Sequence, residues 1–294
     1  KITNIYLIKI YEVIFMYYIE QADKPIKIEE WFNIVKLKNN RIILPNKKED
    51  NIKTDEILAK KTKNILDKTA SKKIILSKNI HKKNGYINYL YSYNYDIVDG
   101  KWLFKILMYD VLEYIIMKEN LDKEETQISI MINDITERDL YNIKNIITNF
   151  KKVNIITNHL EKFKNLEEKY KDIGIVINVG NNKRKGVLKS KIILNLDFPS
   201  ELVNKYNIYD QAIIVNFQNN VKIKKKRYNG ICINDYEINV KNCSDFNFLD
   251  FENYFKKELY EGILYKNQPV EEILKKLKID GVVIEKLIGT NNLI

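Results

Sequence analysis

The chain has 294 residues, 45% of them hydrophobic, which is enough for one large core or two modest ones and too many for a disordered chain. Nine Gly and four Pro argue against long flexible linkers, and two Cys with two His supply neither a disulfide framework nor the soft ligands of a structural zinc site. The net charge of +11 admits an anionic partner, yet the 50 Lys and Arg are interleaved with 39 acids and accompany abundant Asn, Ile and Tyr, a composition that AT-rich coding sequence also produces.

The opening run ITNIYLIKIYEVIFMYYIE, residues 2–20, is apolar enough to raise the question of a membrane. Lys9 and Glu12 interrupt it, and charge near the centre of a spanning helix is costly. Its Ile, Tyr, Val and Phe suit one or two strands, and no membrane span is expected. KPIKIEEWF (24–32) and RIILP (41–45) read as further short strands. Residues 54–70 read as an amphipathic helix with Thr54 as N-cap. A strand is expected at 72–77, a helix at 79–93 and a short strand at 96–98 closed by Asp99-Gly100. A long apolar helix follows at 101–120. Strand and helix alternate, which predicts a parallel sheet for residues 1–126. The acidic LDKEET at 121–126 marks the expected domain boundary.

From 127 to 240 the alternation is more regular. Strands are expected at 127–132, 153–157, 174–179, 191–197 and 212–217, with helices at 137–150, 159–171 and near 199–205. A β-like stretch runs from 220 to 240. Short Ile/Val runs between helices suit a parallel sheet covered on both faces. Residues 241–294 read as a helical tail packing back, with helices near 249–261 and 269–278. The fold class expected is α/β in two parts, the second a Rossmann-like, mostly parallel sheet with helices on both faces. The two cysteines, Cys232 and Cys243, match no metal or redox motif, and a reducing cytoplasm fits them.

One stretch carries a family likeness. Ile155-Ile156-Thr157-Asn158-His159-Leu160-Glu161-Lys162, continued by Leu166-Glu167-Glu168, resembles the second Rossmann strand and following helix of dehydrogenases of the shikimate dehydrogenase and glutamyl-tRNA reductase type. LKSKIILNLDFP and AIIVNF resemble the family's later strands, so the likeness covers about 128–217. It implies a dinucleotide-binding fold. The chain departs from the family where the cofactor's pyrophosphate would lie. The glycine fingerprint, which permits a tight turn and close approach to a helix N-terminus, falls at 133–138, and Asn133-Asp134-Ile135-Thr136-Glu137-Arg138 contains no glycine. Where the family has an arginine for a 2′-phosphate, this chain has His159. Asp134 or Thr136 is expected to cap the helix at 137–150, with no phosphate-sized hollow beneath the turn.

Other candidates rest on chemistry alone. GNNKRKG at 180–186 is the best anion site: Gly180 and Gly186 permit positive φ, Asn181 and Asn182 tolerate left-handed backbone, and Lys183, Arg184 and Lys185 supply charge after a strand's carboxyl end. A solvated turn is the simpler reading. Asn195 and Asp197 close the strand at 191–197 and join that candidate cofactor site, although Asp197 also reads as a helix cap. The basic run KIKKKRYNG at 222–230 sets Tyr228 beside Lys226 and Arg227, where it can stack on a base or belong to a charged hairpin edge. Asp96, Asp99 and Lys101 suggest acid–base work or, more simply, an Asp-Gly turn. His159 opens a helix and reads as a surface or capping residue. These observations lead first to a Rossmann-like binding or regulatory module for a small anionic ligand, with no cofactor identified. The alternatives are a divergent NAD(P)-dependent oxidoreductase using 180–186 for phosphate, and nucleic-acid binding through 222–230.

Overall fold

The computed structural model describes residues 16–46, 51–69, 72–172, 175, 177–244, 246–264 and 268–290. Most of the opening run read as strands, residues 2–15, lies outside them. The chain divides into two compact units, Lys1–Gly100 with Cys243–Lys266, and Lys101–Asn242 with Asn267–Ile294. The segment 101–118, read above as the end of the first region, is thus counted with the second unit.

The first unit is built on a five-stranded sheet. Its strands are β1 (Tyr17–Gln21), β2 (Lys36–Lys38), β3 (Arg41–Leu44), β4 (Lys73–Leu76) and β5 (Asp96–Ile97), in the order β2-β3-β1-β4-β5. All neighbours are parallel except the β2–β3 hairpin. Ile19, Ile42, Leu44, Ile74 and Leu76 are fully buried beneath α2 (Ile52–Leu66) and α3 (Asn84–Ser92), which add Leu58, Tyr86 and Leu90 to one core. Two expectations are corrected here. KIEEWF forms a helix, α1 (Lys27–Phe32), although its Ile28, Trp31 and Phe32 are exposed, and left-handed Asn33 ends it. Helix α2 begins two residues before Thr54: Asn51 caps it, its side-chain oxygen accepting from the Lys53 N–H at 3.0 Å.

The second unit holds β6 (Gln127–Met131), β7 (Lys152–Ile156), β8 (Ile177–Gly180), β9 (Ile192–Asn195), β10 (Ile213–Asn216), β11 (Cys232–Val240) and β12 (Val282–Gly289). Their order is β12-β11-β10-β9-β6-β7-β8, parallel from β8 to β11. Counted from β6, this is the doubly wound order 3-2-1-4-5-6, with an added edge strand. Ile128, Ile130, Val153, Ile155, Ile192, Leu194, Ile214 and Val215 are buried on both faces. Each such side chain contributes roughly 1.5–3 kcal/mol by leaving water, which is why their runs carry so little polarity.

Flanking helices are α4 (Lys101–Ile106), α5 (Met108–Lys118), α6 (Glu137–Asn149), α7 (Leu160–Asp172), α8 (Ser200–Val203) and, after α9 (Lys256–Ile263) of the first unit, α10 (Val270–Ile279). The single helix expected at 101–120 is therefore two, broken at Leu107. The helical tail is also corrected. Residues 282–289 pair antiparallel with β11 along its length, from Val240↔Val282 to Ile233↔Gly289. Among the described residues no helix is long and apolar enough to cross a membrane.

Two crossovers depart from the strand–helix–strand pattern, the loop 217–231 between parallel β10 and β11 and the connection after β8. Between β8 and β9 the chain forms no helix; residues 181–191 cross the sheet face as a series of turns.

Candidate functional site

In a doubly wound sheet, ligands bind outside the carboxyl ends of the strands where the order reverses, here between β6 and β9. The turn after β6 offers the backbone N–H groups of Asn133 and Asp134. Both donate to one carboxylate, that of Asp197, which follows β9. Asn133 N reaches the two oxygens at 3.0 and 2.8 Å, and Asp134 N reaches Oδ2 at 2.9 Å. The chain's own anion thus occupies the donors that a phosphate would use. Burial pushes the Asp197 carboxyl above the usual carboxylate range, although both N–H donors and Lys105 pull it down.

Further bonds close the same turn. The Asn133 side-chain oxygen accepts from the Asn158 N–H at 3.0 Å, tying the β6 turn to the β7 turn. Exposed Asp134 pairs with Lys162 at 2.8 Å, and this lysine holds its carboxyl below the usual range. Thr136 caps α6 as expected: its hydroxyl accepts from Asp139 N at 3.2 Å, while the Asp139 carboxylate accepts from Thr136 N at 3.2 Å. The expectation of no hollow needs correction. A depression of about 430 Å³ lies beside this first helical turn, lined by Thr136, Glu137, Arg138 and residues 268–270. The N–H groups of Asn133, Asp134 and Thr136 are turned to carboxylates of the chain rather than to that depression.

Asn195 explains how Asp197 is delivered. Fully buried at the end of β9, it accepts from Phe198 N at 2.9 Å and donates to Phe198 O at 3.0 Å, closing the turn that contains Asp197. It also donates to Asn216 Oδ1 at 2.9 Å, and Asn216 donates to Asn234 Oδ1 at 3.0 Å. Three carboxamides therefore link the ends of β9 and β10 to β11.

The second feature lies on the sheet face under residues 181–189. Ser129, Asn154 and Asn178 stand in register across β6, β7 and β8, a second polar row in this sheet. This row pins the crossover. Ser129 Oγ bonds Ser190 Oγ at 2.6 Å, and Asn154 Nδ2 reaches Gly186 O at 3.4 Å. Because the crossover is a string of turns, it leaves a partly open cavity of about 560 Å³, within the size range of small-molecule sites. Gln127, Asn154, Asn178, Gly180, Lys185 and Lys189 line it over an apolar floor that includes Ile156, and the crossover itself adds Leu188.

The loop's glycines play a different part from the one expected. None of Gly180, Asn181, Asn182 or Gly186 has positive φ. Gly186 is needed because a Cβ would stand 2.7 Å from Asn182 O. Asn182 shapes the turn, accepting from Arg184 N and Lys185 N at 3.0 and 3.1 Å. Gly180 and Asn182 reach the cavity, whereas Asn181, Lys183 and Arg184 are exposed and stand outside its lining.

The remaining candidates lie elsewhere. Residues 222–230 form an irregular loop rather than a hairpin edge. Tyr228 is half-buried and its hydroxyl donates to Ala212 O at 2.8 Å, which removes the stacking ring that a nucleic-acid role through this run calls for. Asp96 opens β5, and Asp99 precedes Gly100, whose φ of +78° makes the tight turn expected. His159 is exposed, its N–H on Thr157 Oγ1 at 3.0 Å. Among the described residues no three His, Cys, Asp or Glu side chains gather as metal ligands. Gln127, Asn154, Asn178 and Lys189 were missed from the sequence. The signal available was an Asn inside each of two apolar strands, VNIIT and INVG.

No family model matches the chain, and no curated protein matches it. Among solved structures it is similar to L-tryptophan dehydrogenase from Nostoc punctiforme, at 5% identity and a TM-score of 0.31, over 72% of this chain and 65% of that one. It is similar over 38% of its length to 36% of a Δ1-pyrroline-2-carboxylate reductase from Thermococcus litoralis, at 15% identity and a TM-score of 0.27. Aspartate transcarbamoylase from Trypanosoma cruzi aligns at 10% identity and a TM-score of 0.28, over 88% of this chain and 85% of that one. The chain spans less than two thirds of the dehydrogenase and of the reductase. Likenesses at this level carry no argument about activity; the fold stands on its own strand order, a Rossmann-like α/β arrangement in two parts.

Proposed function

We propose that this chain is a Rossmann-like binding or regulatory module that does not carry out dehydrogenase chemistry. The observation that supports it is the Asp197 carboxylate on the Asn133 and Asp134 N–H groups. A dinucleotide seated in the usual way would have to displace a carboxylate that its own turn holds in place. It would also meet the side chains of Asn133 and Asp134 where glycine normally leaves room. Fold alone does not assign a reaction.

The second reading is a divergent NAD(P)-dependent oxidoreductase, favoured by the doubly wound strand order and by a reversal point between β6 and β9. Calorimetric titration with NAD(H) and NADP(H) separates the two. The proposal expects no binding at micromolar concentration, and micromolar binding of either cofactor overturns it in favour of the oxidoreductase.

A further inference from the structure

We infer that the cavity beneath residues 181–189 is a binding site for a small planar anion carrying an amide-like edge. This gives the proposed binding role a location and a ligand class, on observations independent of Asp197.

The first observation is the polar row itself. An inner parallel strand covered on both faces ordinarily carries apolar side chains, yet β7 turns buried Asn154 to this face, where exposed Asn178 of the edge strand β8 and Gln127 of β6 join it at the same cavity. Asn154 is satisfied by Asn178 Nδ2 at 3.1 Å and by Gly186 O. The Asn178 side-chain oxygen and the Gln127 carboxamide have no hydrogen-bond partner among the described residues, so they present an acceptor and a donor–acceptor pair to the cavity. A flat group with alternating N–H and C=O matches that edge.

Charge supplies the second observation. Lys185 and Lys189 line the cavity, make no ion pair among the described residues, and face no carboxylate in the lining. The cavity lining is therefore cationic.

The third is room. An added Cβ at Gly180 would meet nothing within 4 Å, so the end of β8 leaves an opening onto the cavity that backbone geometry does not require. The apolar floor suits the face of a planar ring, the carboxamides its edge and the lysines its charge.

The test uses the full chain and orotate, a planar ring with amide edges and one carboxylate. Uracil, which lacks the charge, and benzoate, which lacks the edge, are the controls. Binding is read by calorimetry and by amide shifts of residues 154, 178 and 180. Orotate is expected to bind with a Kd of about 1 mM or tighter, an affinity within reach of a ligand of about a dozen heavy atoms. Both controls should bind roughly tenfold more weakly or worse. Gly180→Leu, which fills the opening, and the double variant Lys185→Glu/Lys189→Glu, which reverses the charge at two exposed positions, should each weaken orotate binding at least about tenfold. The second variant tests the site even if the first fails to fold. Failure of orotate to bind overturns the inference, as does binding that both variants leave intact or that benzoate equals. The cofactor titration and the orotate titration address different residues, so either reading can fail alone.

Discussion

Replacing Asp197 with alanine tests the self-occupied crevice through stability. The substitution strips two backbone donors of a charged acceptor. Hydrogen bonds to charged groups are each worth about 1.5–3 kcal/mol net, and a buried donor left unmade costs about 1–3 kcal/mol. Two features reduce that loss here. Asp197 is only half-buried and Asp134 is exposed, so water can reach the freed N–H groups. Removing the carboxylate also relieves the burial that raises its pKa. The net loss expected is about 1–2 kcal/mol.

The assay is urea unfolding, in which the midpoint should fall while the slope is kept. Hydrogen exchange at Asn133 and Asp134 should quicken by roughly tenfold for each 1.4 kcal/mol lost locally. A midpoint equivalent to the wild type within about 0.3 kcal/mol, together with unchanged exchange at both amides, would refute the reasoning. The pH dependence carries a sign. A carboxyl whose folded pKa is raised contributes most below its unfolded value, and that contribution is lost as pH rises through the folded value. The stability of the wild type relative to Asp197→Asn should therefore increase as pH falls through the range just above the ordinary carboxylate value.

Three further outcomes are expected. Thr136→Ala removes the capping box of α6 and should cost about 1 kcal/mol in urea unfolding. Asn195→Ala breaks the turn that holds Asp197 as well as the link to Asn216; it should cost about 2–3 kcal/mol and quicken exchange at Asn133, a site far from it in sequence. In the first unit, burial raises the Glu258 carboxyl against the pull of His81, which lies 2.9 Å away. Stability should accordingly fall as pH rises through the raised Glu258 value, and Glu258→Gln should flatten that part of the profile measured by thermal unfolding.

Much of the sheet was legible because β6, β7, β9 and β10 are short Ile/Val runs, and burial on both faces permits little else. β12 was not: it follows a helix, and its Val283 and Glu285 are exposed, so its alternation is hidden in what reads as a helical tail. The break at Leu107 was illegible because both flanking helices are apolar and no Gly or Pro marks it. At the crevice, the missing glycines and the capping role of Thr136 could be read locally. The partner of Asp197 could not, since Asn133 lies 64 residues away and the contact exists only once β6 and β9 are adjacent. The loop 180–186 stands out in the sequence for its charge, but cavity access depends on strand register, which favours Gln127, Asn154 and Asn178 over Lys183 and Arg184.

The Asp197 carboxylate is read as standing where a bound phosphate would lie. Amide NMR of Asn133 and Asp134 tests it most directly, recorded across pH in the wild type and in Asp197→Asn, with and without NADH. Both amide signals are expected to follow the titration of Asp197, the substitution to abolish this pH response, and NADH to leave the wild-type signals in place. Signals indifferent to Asp197, or displaced in the wild type by micromolar NADH, would contradict it.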